Sequence, residues 1–510
     1  MNITSFIACT AALLSVTPGR AQDPPPAAQS ALTAGEAAED IRIFRKALTE
    51  YHPGWARFTS AEAMNLALDD LERDTAAGVT DLELHRRVSR ITAMMRCDHT
   101  LAEVPPAIIA WRSANPTHPP FRLDIRGGRA FIDQADESQP SIQHGDEILA
   151  INGIAIGQLI AEVSPLVAID GFTESAREPI LEYSNEIPSG AIDAFYPAFH
   201  GYSDSFRIEG RRQSGQQTWT GYQTTVHAVT YSRYNKIATG STSRYASNFE
   251  DAVSFEITDD PTTDDPNDSA GLLRIDTFVN YRTNADPIAI LKPHFDAMNE
   301  AMESGRTDHL ILDLRNCGGG SDEVPEALLT FLIDQPFKLN ARQPWVRTYD
   351  FSGLREHLAS WNEDYFNLPP ALFTPVAREI AGPVGYYEVS EQLFPNRTVT
   401  PRDDRFTGRI TVLCGPANAS GATNFMARLN GRANVSFKGE PTGGSSEGPT
   451  AGHMFMLTLP NSRIVIRIPV LRQFNNALEI EPGMGIIPHE YCESRASQWL
   501  VRLRTMHGPG

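Results

Sequence analysis

The sequence predicts an α/β fold with a helical entry domain, and three observations predict it. From residue 271 onward, strand-like apolar runs alternate with helical stripes, the pattern of a layered α/β domain. Between 119 and 212, short alternating runs are separated by turn residues, which reads as a β-rich domain. Ahead of both, three capping boxes announce helices between about 30 and 100.

Length and charge frame the rest. The 510 residues suit about three domains, since domains usually run ~100–200 residues. A chain that is 41% hydrophobic and 21% charged is neither wholly disordered nor fibrous. Sixty-three acidic residues against 44 basic ones give a formal charge of −19, with no general attraction to phosphate backbones or anionic membranes. Nucleic acid is therefore not an expected partner. Five cysteines are too few for a disulfide-dense scaffold.

Residues 1–22 read as a signal peptide. The apolar run Phe6–Val16 is too short to span a bilayer, Pro18-Gly19 breaks it, and Gly19-Arg20-Ala21 offers a small-x-small cleavage site. Export to the periplasm or beyond is the expectation, with no membrane anchor. It would leave Cys97, Cys317, Cys414 and Cys492 in an oxidising compartment, where the sequence assigns no pairing.

A linker and the helical domain occupy 23–118. The boxes are Thr33-Ala-Gly-Glu36, Thr59-Ser-Ala-Glu62 and Thr80-Asp-Leu-Glu83. The third helix carries Leu84, Val88, Ile91 and Met95 on one stripe and ends near Cys97-Asp98-His99-Thr100. In the β-rich domain of 119–212, Phe121–Ile125, Ala130–Ile132 and Glu147–Ile151 read as strands, the last turning at Asn152-Gly153. The segment His144–Gly153 resembles the most recognisable stretch of PDZ domains. Residues 213–270 read as a polar connector, and its acid run 258–268 as a solvated loop. A layered α/β domain spans 271–495: strands at 272–278, 309–315, 409–414, 437 and 463–470, and helices at 287–302, 324–333 and after Ser420. Residues 496–510 form a tail.

Chemistry has three candidate homes. Asn316-Cys317-Gly318-Gly319-Gly320-Ser321 follows a buried strand, and consecutive glycines leave N–H groups open to an anion or oxyanion. No Gly-Lys-Ser/Thr follows, so a phosphate loop is disfavoured. Pro416–Thr423 places Ser420 at a helix start, where a serine serves equally as a cap. His99 sits just past a helix C-terminus, where the helix dipole alone favours it.

Taken in order, His99, Asp313–Gly320, Asn418–Thr423, Gly439–Gly444 and Gly485–Pro488 resemble the C-terminal processing (tail-specific) serine peptidase family. The likeness is to the branch related to the tricorn core protease and interphotoreceptor retinoid-binding protein. The resemblance implies a crotonase-like ββα core and a serine-type peptidase acting on polypeptides. It implies Ser420 as nucleophile, with Gly421 and either Gly319 or Gly320 as oxyanion donors. The lysine of the family's Gly-Glu-Pro-Thr-Phe-Gly-Lys motif is replaced here by Gly443-Gly444-Ser445, and Lys438 precedes the motif. A Ser–Lys dyad is thus disfavoured, and Cys97-Asp98-His99-Thr100 matches the branch's histidine motif, making His99 the base. Glu481, with Glu479 behind it, matches the orienting acid. A non-catalytic binding protein on the same scaffold is the alternative. No metal or cofactor is expected: there is no His-Glu-x-x-His, and His489-Glu-Tyr-Cys492 has no second ligand cluster.

Overall fold

A computed structural model describes residues 31–182, 189–215, 218–239, 248–260, 262–263, 267–378, 385–478 and 480–492. The signal-peptide segment, most of the linker and the tail lie outside them.

The entry helices are Ala34–Lys46, Ala61–Asp74 and Asp81–Met94. Thr33 and Glu36 form the full reciprocal capping box, and Thr80 accepts the Glu83 N–H. The second helix departs from expectation. Ser60 caps it, while the Thr59 hydroxyl turns away to donate to Met94 O at 2.6 Å and ties the second helix to the third. These helices do not form a core of their own. Phe44, Leu48, Met64 and Leu68 share one apolar cluster with Phe455, Ile466 and Ile468 from the far end of the chain. Burying each such side chain is worth about 1.5–3 kcal/mol, so the entry helices are held by the catalytic region.

The β-rich domain is one antiparallel sheet, in which strands Phe121–Arg126, Arg129–Ala135, Glu147–Ile151, Ser205–Gln213 and Trp219–His227 neighbour in that order. Asn152 and Gly153 both have positive φ, as the tight turn into Ile154–Ala155 requires. Residues 213–270 are not a connector. Trp219–His227 pairs along its whole length with Ser205–Gln213, its polar residues reflecting an exposed strand. Val253–Asp259 and Ser269–Ile275 form a hairpin at the edge of the catalytic sheet, with the acid run as its loop. Asp260 within that loop is buried, not solvated.

The catalytic sheet continues in parallel from Ser269–Ile275 through His309–Asp313, Arg409–Cys414 and Val435–Gly439 to Glu490–Tyr491. Helices Pro287–Glu303, Glu323–Thr330 and Ser420–Leu429 pack on it through Phe295, Leu328 and Phe425. A third sheet centres on the hairpin Thr450–Thr458 with Val465–Arg472. Leu101–Glu103, two residues beyond His99, pairs with Val465–Arg467. That pairing carries a residue from the first hundred into the C-terminal region. Among the described residues, no helix is long and apolar enough to cross a membrane.

Candidate active site

Ser420 opens its helix at the C-terminal end of a central parallel strand. Its φ of 47° is left-handed, a conformation that costs a non-glycine residue energy and is held by its surroundings. Asn418, fully buried two residues earlier, holds them. Its side-chain oxygen accepts the Gly415 N–H at 2.7 Å, and its amide donates to Leu314 O at 2.5 Å and Cys317 O at 2.9 Å. One side chain thus clamps the turn before the serine to the glycine loop after the neighbouring strand.

The clamp brings Gly319 and Gly320 against Ser420 and Gly421. A methyl group on Gly319 would stand 2.7 Å from Gly421 N and 3.1 Å from Ser420 Cβ. The φ values of 105° at Gly319 and 147° at Gly320 explain the glycines independently. Among the described residues, neither the Gly320 nor the Gly421 N–H has a protein acceptor, whereas that of Gly319 acts on the Cys317 sulfur. Burial nonetheless pushes the Cys317 thiol up to about 12, so it stays protonated.

His99 lies in the turn between helix Asp81–Met94 and strand Leu101–Glu103. Its neighbour Thr100 is fully buried and anchors that turn. His52 Nδ1 accepts the Gly54 N–H, so the ring carries its proton on Nε2 and donates it to Thr100 Oγ1 at 2.5 Å. Burial holds His52 neutral, with its pKa down at about 3. Asp98 Oδ1 stands 2.6 Å from His99 Nδ1, an ion contact whose orientation falls short of a directed hydrogen bond. Burial disfavours a charged His99 ring, but the Asp98 carboxylate, with smaller help from Cys97, holds its pKa well above the usual imidazole value.

Residues 269–491 match the model of peptidase family S41. That stretch, rather less than half of the chain, is similar to the family. No curated protein matches the sequence. Among solved structures, this one is similar to mature CPAF complexed with lactacystin, at 14% identity, covering 93% of this chain and 97% of that one, with a TM-score of 0.58. Mature CPAF alone aligns at 15% identity over 93% and 95%, with a TM-score of 0.53. At these identities the likeness speaks for the fold, a mixed α/β architecture with several sheets. By that match the 269–491 region is that of a serine-type peptidase, which implies a polypeptide substrate.

Several residues of this peptidase stand apart from their expected roles. Glu481 is exposed, and among the described residues it makes no ion pair or side-chain hydrogen bond; the carboxylate beside His99 is its chain neighbour Asp98. Glu479 lies outside the described residues. Lys438 is committed to Glu490 at 2.8 Å across two parallel strands.

Asp170 is the residue that the sequence did not bring forward. It is buried in the segment that leaves the β-rich domain, and its Oδ2 accepts the Ser445 N–H at 2.9 Å. Burial and the Asp98 charge raise its pKa to about 7, against the pull of Arg57 and the Ser445 amide. Thr173 and Ser175 donate to Gly443 O and Thr442 O. Gly444, between these contacts, packs on Ala419 Cα and the Ser420 nitrogen. Segment 170–175 thereby joins the His99 corner to the loop under the serine. No local motif marks Asp170; only the tertiary pairing reveals it.

Proposed function

We propose that the peptidase cleaves polypeptides through an acyl-enzyme formed on Ser420, with His99 as general base and Asp98 as the carboxylate that orients it. Ser420 Oγ attacks the scissile carbonyl and its proton passes to His99 Nε2. The imidazolium then returns a proton to the leaving amine, and water repeats the sequence to release the acyl group. A serine hydroxyl is a poor nucleophile near neutrality, so it needs such an acceptor.

The N–H groups of Gly421 and Gly320 receive the developing oxyanion, each worth about 3–4 kcal/mol of barrier. Gly319, whose N–H acts on the Cys317 sulfur, is the lesser candidate for the second donor. The observation that carries the proposal is the clamp by Asn418, which holds a left-handed Ser420 beside two N–H groups that have no acceptor among the described residues. Export of the mature chain belongs to the same proposal.

A fluorophosphonate probe tests the chemistry. The wild type should label stoichiometrically at Ser420, and Ser420→Ala should neither label nor hydrolyse peptides while unfolding at the same temperature. Turnover retained in Ser420→Ala would refute the assignment. The N-terminal sequence of protein recovered from outside the cytoplasm tests export, which fails if residues 1–22 are still attached.

A further inference from the structure

We propose that Cys97, Asp98 and His99 form a binding site for zinc or a similar thiophilic divalent cation, and that its occupation switches the peptidase off. A thiol sulfur, a carboxylate oxygen and an imidazole nitrogen from these three residues all lie within 4.8 Å of one another. That mixed set of sulfur, nitrogen and oxygen donors suits zinc, which is bound by all three at close to tetrahedral geometry.

The second observation is a bare carboxylate oxygen. Asp170 Oδ1, on a residue 1% exposed, has no hydrogen-bond partner, and Asp98 and His99 act electrostatically on that carboxyl. Buried polar atoms are normally paired, so this oxygen points to a ligand that would complete it. His99 Nδ1 and Asp98 Oδ1 meet each other at 2.6 Å, an ion contact that a bound cation would replace. The cation would take Cys97 as thiolate and His99 as neutral imidazole, releasing their protons to solvent without redox change. The Cys97 sulfur would exchange its present donation to Thr450 O, at 3.3 Å, for the metal.

Inhibition rests on the reading of His99 as base, because a ring held by a metal cannot shuttle the serine's proton. Binding does not rest on that reading, and the test separates the two. Cobalt(II), added stepwise to the metal-free full chain, should produce a near-ultraviolet thiolate-to-metal band that saturates at one ion per chain. Zinc should displace it. Cys97→Ser and Cys97→Ala should each abolish the band, with circular dichroism confirming the fold. Zinc should suppress wild-type peptide turnover over the same concentrations that displace cobalt, and each Cys97 variant should need at least tenfold more zinc for half-inhibition of its own zinc-free rate.

Absence of the band, or its persistence in both Cys97 variants, overturns the site. Unchanged turnover in the zinc-saturated wild type overturns the switch. A zinc-free wild type without any turnover would instead count against the Ser420–His99 reading, with the band still deciding the site.

Discussion

The Nδ1 atom of His99 lies 2.6 Å from Oδ1 of the residue before it, Asp98, and, on the proposal that His99 is the base, that contact sets the pH at which the base is available. Burial opposes the imidazolium, yet the adjacent carboxylate raises the ring's pKa well above the ordinary value of ~6.5. Only the neutral ring accepts the serine's proton, so the acid limb of kcat/KM should lie above that value. Asp98→Asn should move the limb to lower pH and reduce kcat, because the ring loses the charge that holds it. The same shift affects stability. A histidine raised in the folded state contributes fully below its unfolded pKa and loses that contribution as pH rises through the folded one. Urea unfolding should therefore show Asp98→Asn costing more at about pH 6 than at about pH 9. An unmoved limb would show that Asp98 does not govern the base.

Two glycines at the serine should respond oppositely to alanine. At Gly320, with φ of 147°, a methyl group would come 2.2 Å from the Phe278 carbonyl carbon. Backbone cannot yield there as a side-chain tip would, so Gly320→Ala should lower stability by about 3 kcal/mol or more through strain and overpacking. At Gly421 the new methyl group would meet Gly320 N and O at 3.3 Å, within a helix where alanine is intrinsically favoured. Gly421→Ala should leave the melting temperature nearly unchanged while lowering kcat about tenfold, a fraction of the ~10²–10³ lost with a whole oxyanion donor. Thermal melts beside steady-state kinetics measure both. Equal stability losses in the two variants would contradict the packing argument.

What the sequence disclosed was local chemistry. Thr33 and Thr80 cap helices because a hydroxyl can satisfy an orphan N–H within three residues, and Asn152-Gly153 turns because both residues tolerate positive φ. The apolar run at 309–313 could only be a buried strand, and the glycines after it could be expected near an anion. Long-range pairing was not disclosed. Asp170 reaches Ser445 across 275 positions, and Trp219–His227 joins its sheet although its polar residues carry little strand pattern. The orienting carboxylate was sought by resemblance at Glu481 and Glu479, while Asp98 stood within the histidine motif itself. Its place became visible only when the turn set Asp98 beside the ring.

Asn418 makes three buried hydrogen bonds that no other residue type reproduces: one accepted and two donated. Asn418→Ala should strand the Gly415 N–H and the Cys317 carbonyl, at about 1–3 kcal/mol for each group left unsatisfied, while Leu314 O keeps the Cys317 N–H. It should also release Ser420 from the glycine loop, so kcat should fall more than KM rises. Asn418→Asp keeps the shape and the acceptor but loses both donations, and should be no better than alanine. Full activity in Asn418→Asp, with the melting temperature intact, would show that the clamp does not position the nucleophile.

Far from the serine, the hairpin loop supplies a buried relay that should control acid stability. His309 Nδ1 lies 2.6 Å from Asp260 Oδ2, and its Nε2 lies 2.8 Å from Thr411 Oγ1, which in turn contacts Ser436 at 3.1 Å. Burial opposes the Asp260 charge, but His309 and Thr262 outweigh it and bring the carboxyl to about 2. A depressed carboxylate stabilises the fold above its unfolded pKa of ~3.9, and that stabilisation disappears as pH falls from there through about 2. Asp260→Asn should cost about 3 kcal/mol at neutral pH, because removing one partner of a buried pair leaves the other uncompensated. The difference between variant and wild type should narrow as pH drops below ~4, where the wild type loses the same charge. Fluorophosphonate labelling of Ser420 at neutral pH should persist in the variant, since the relay lies toward the N-terminal ends of the central strands and the serine follows the opposite end. A constant stability difference from neutral pH to about pH 2 would show that the carboxylate charge is not what holds this end of the strands.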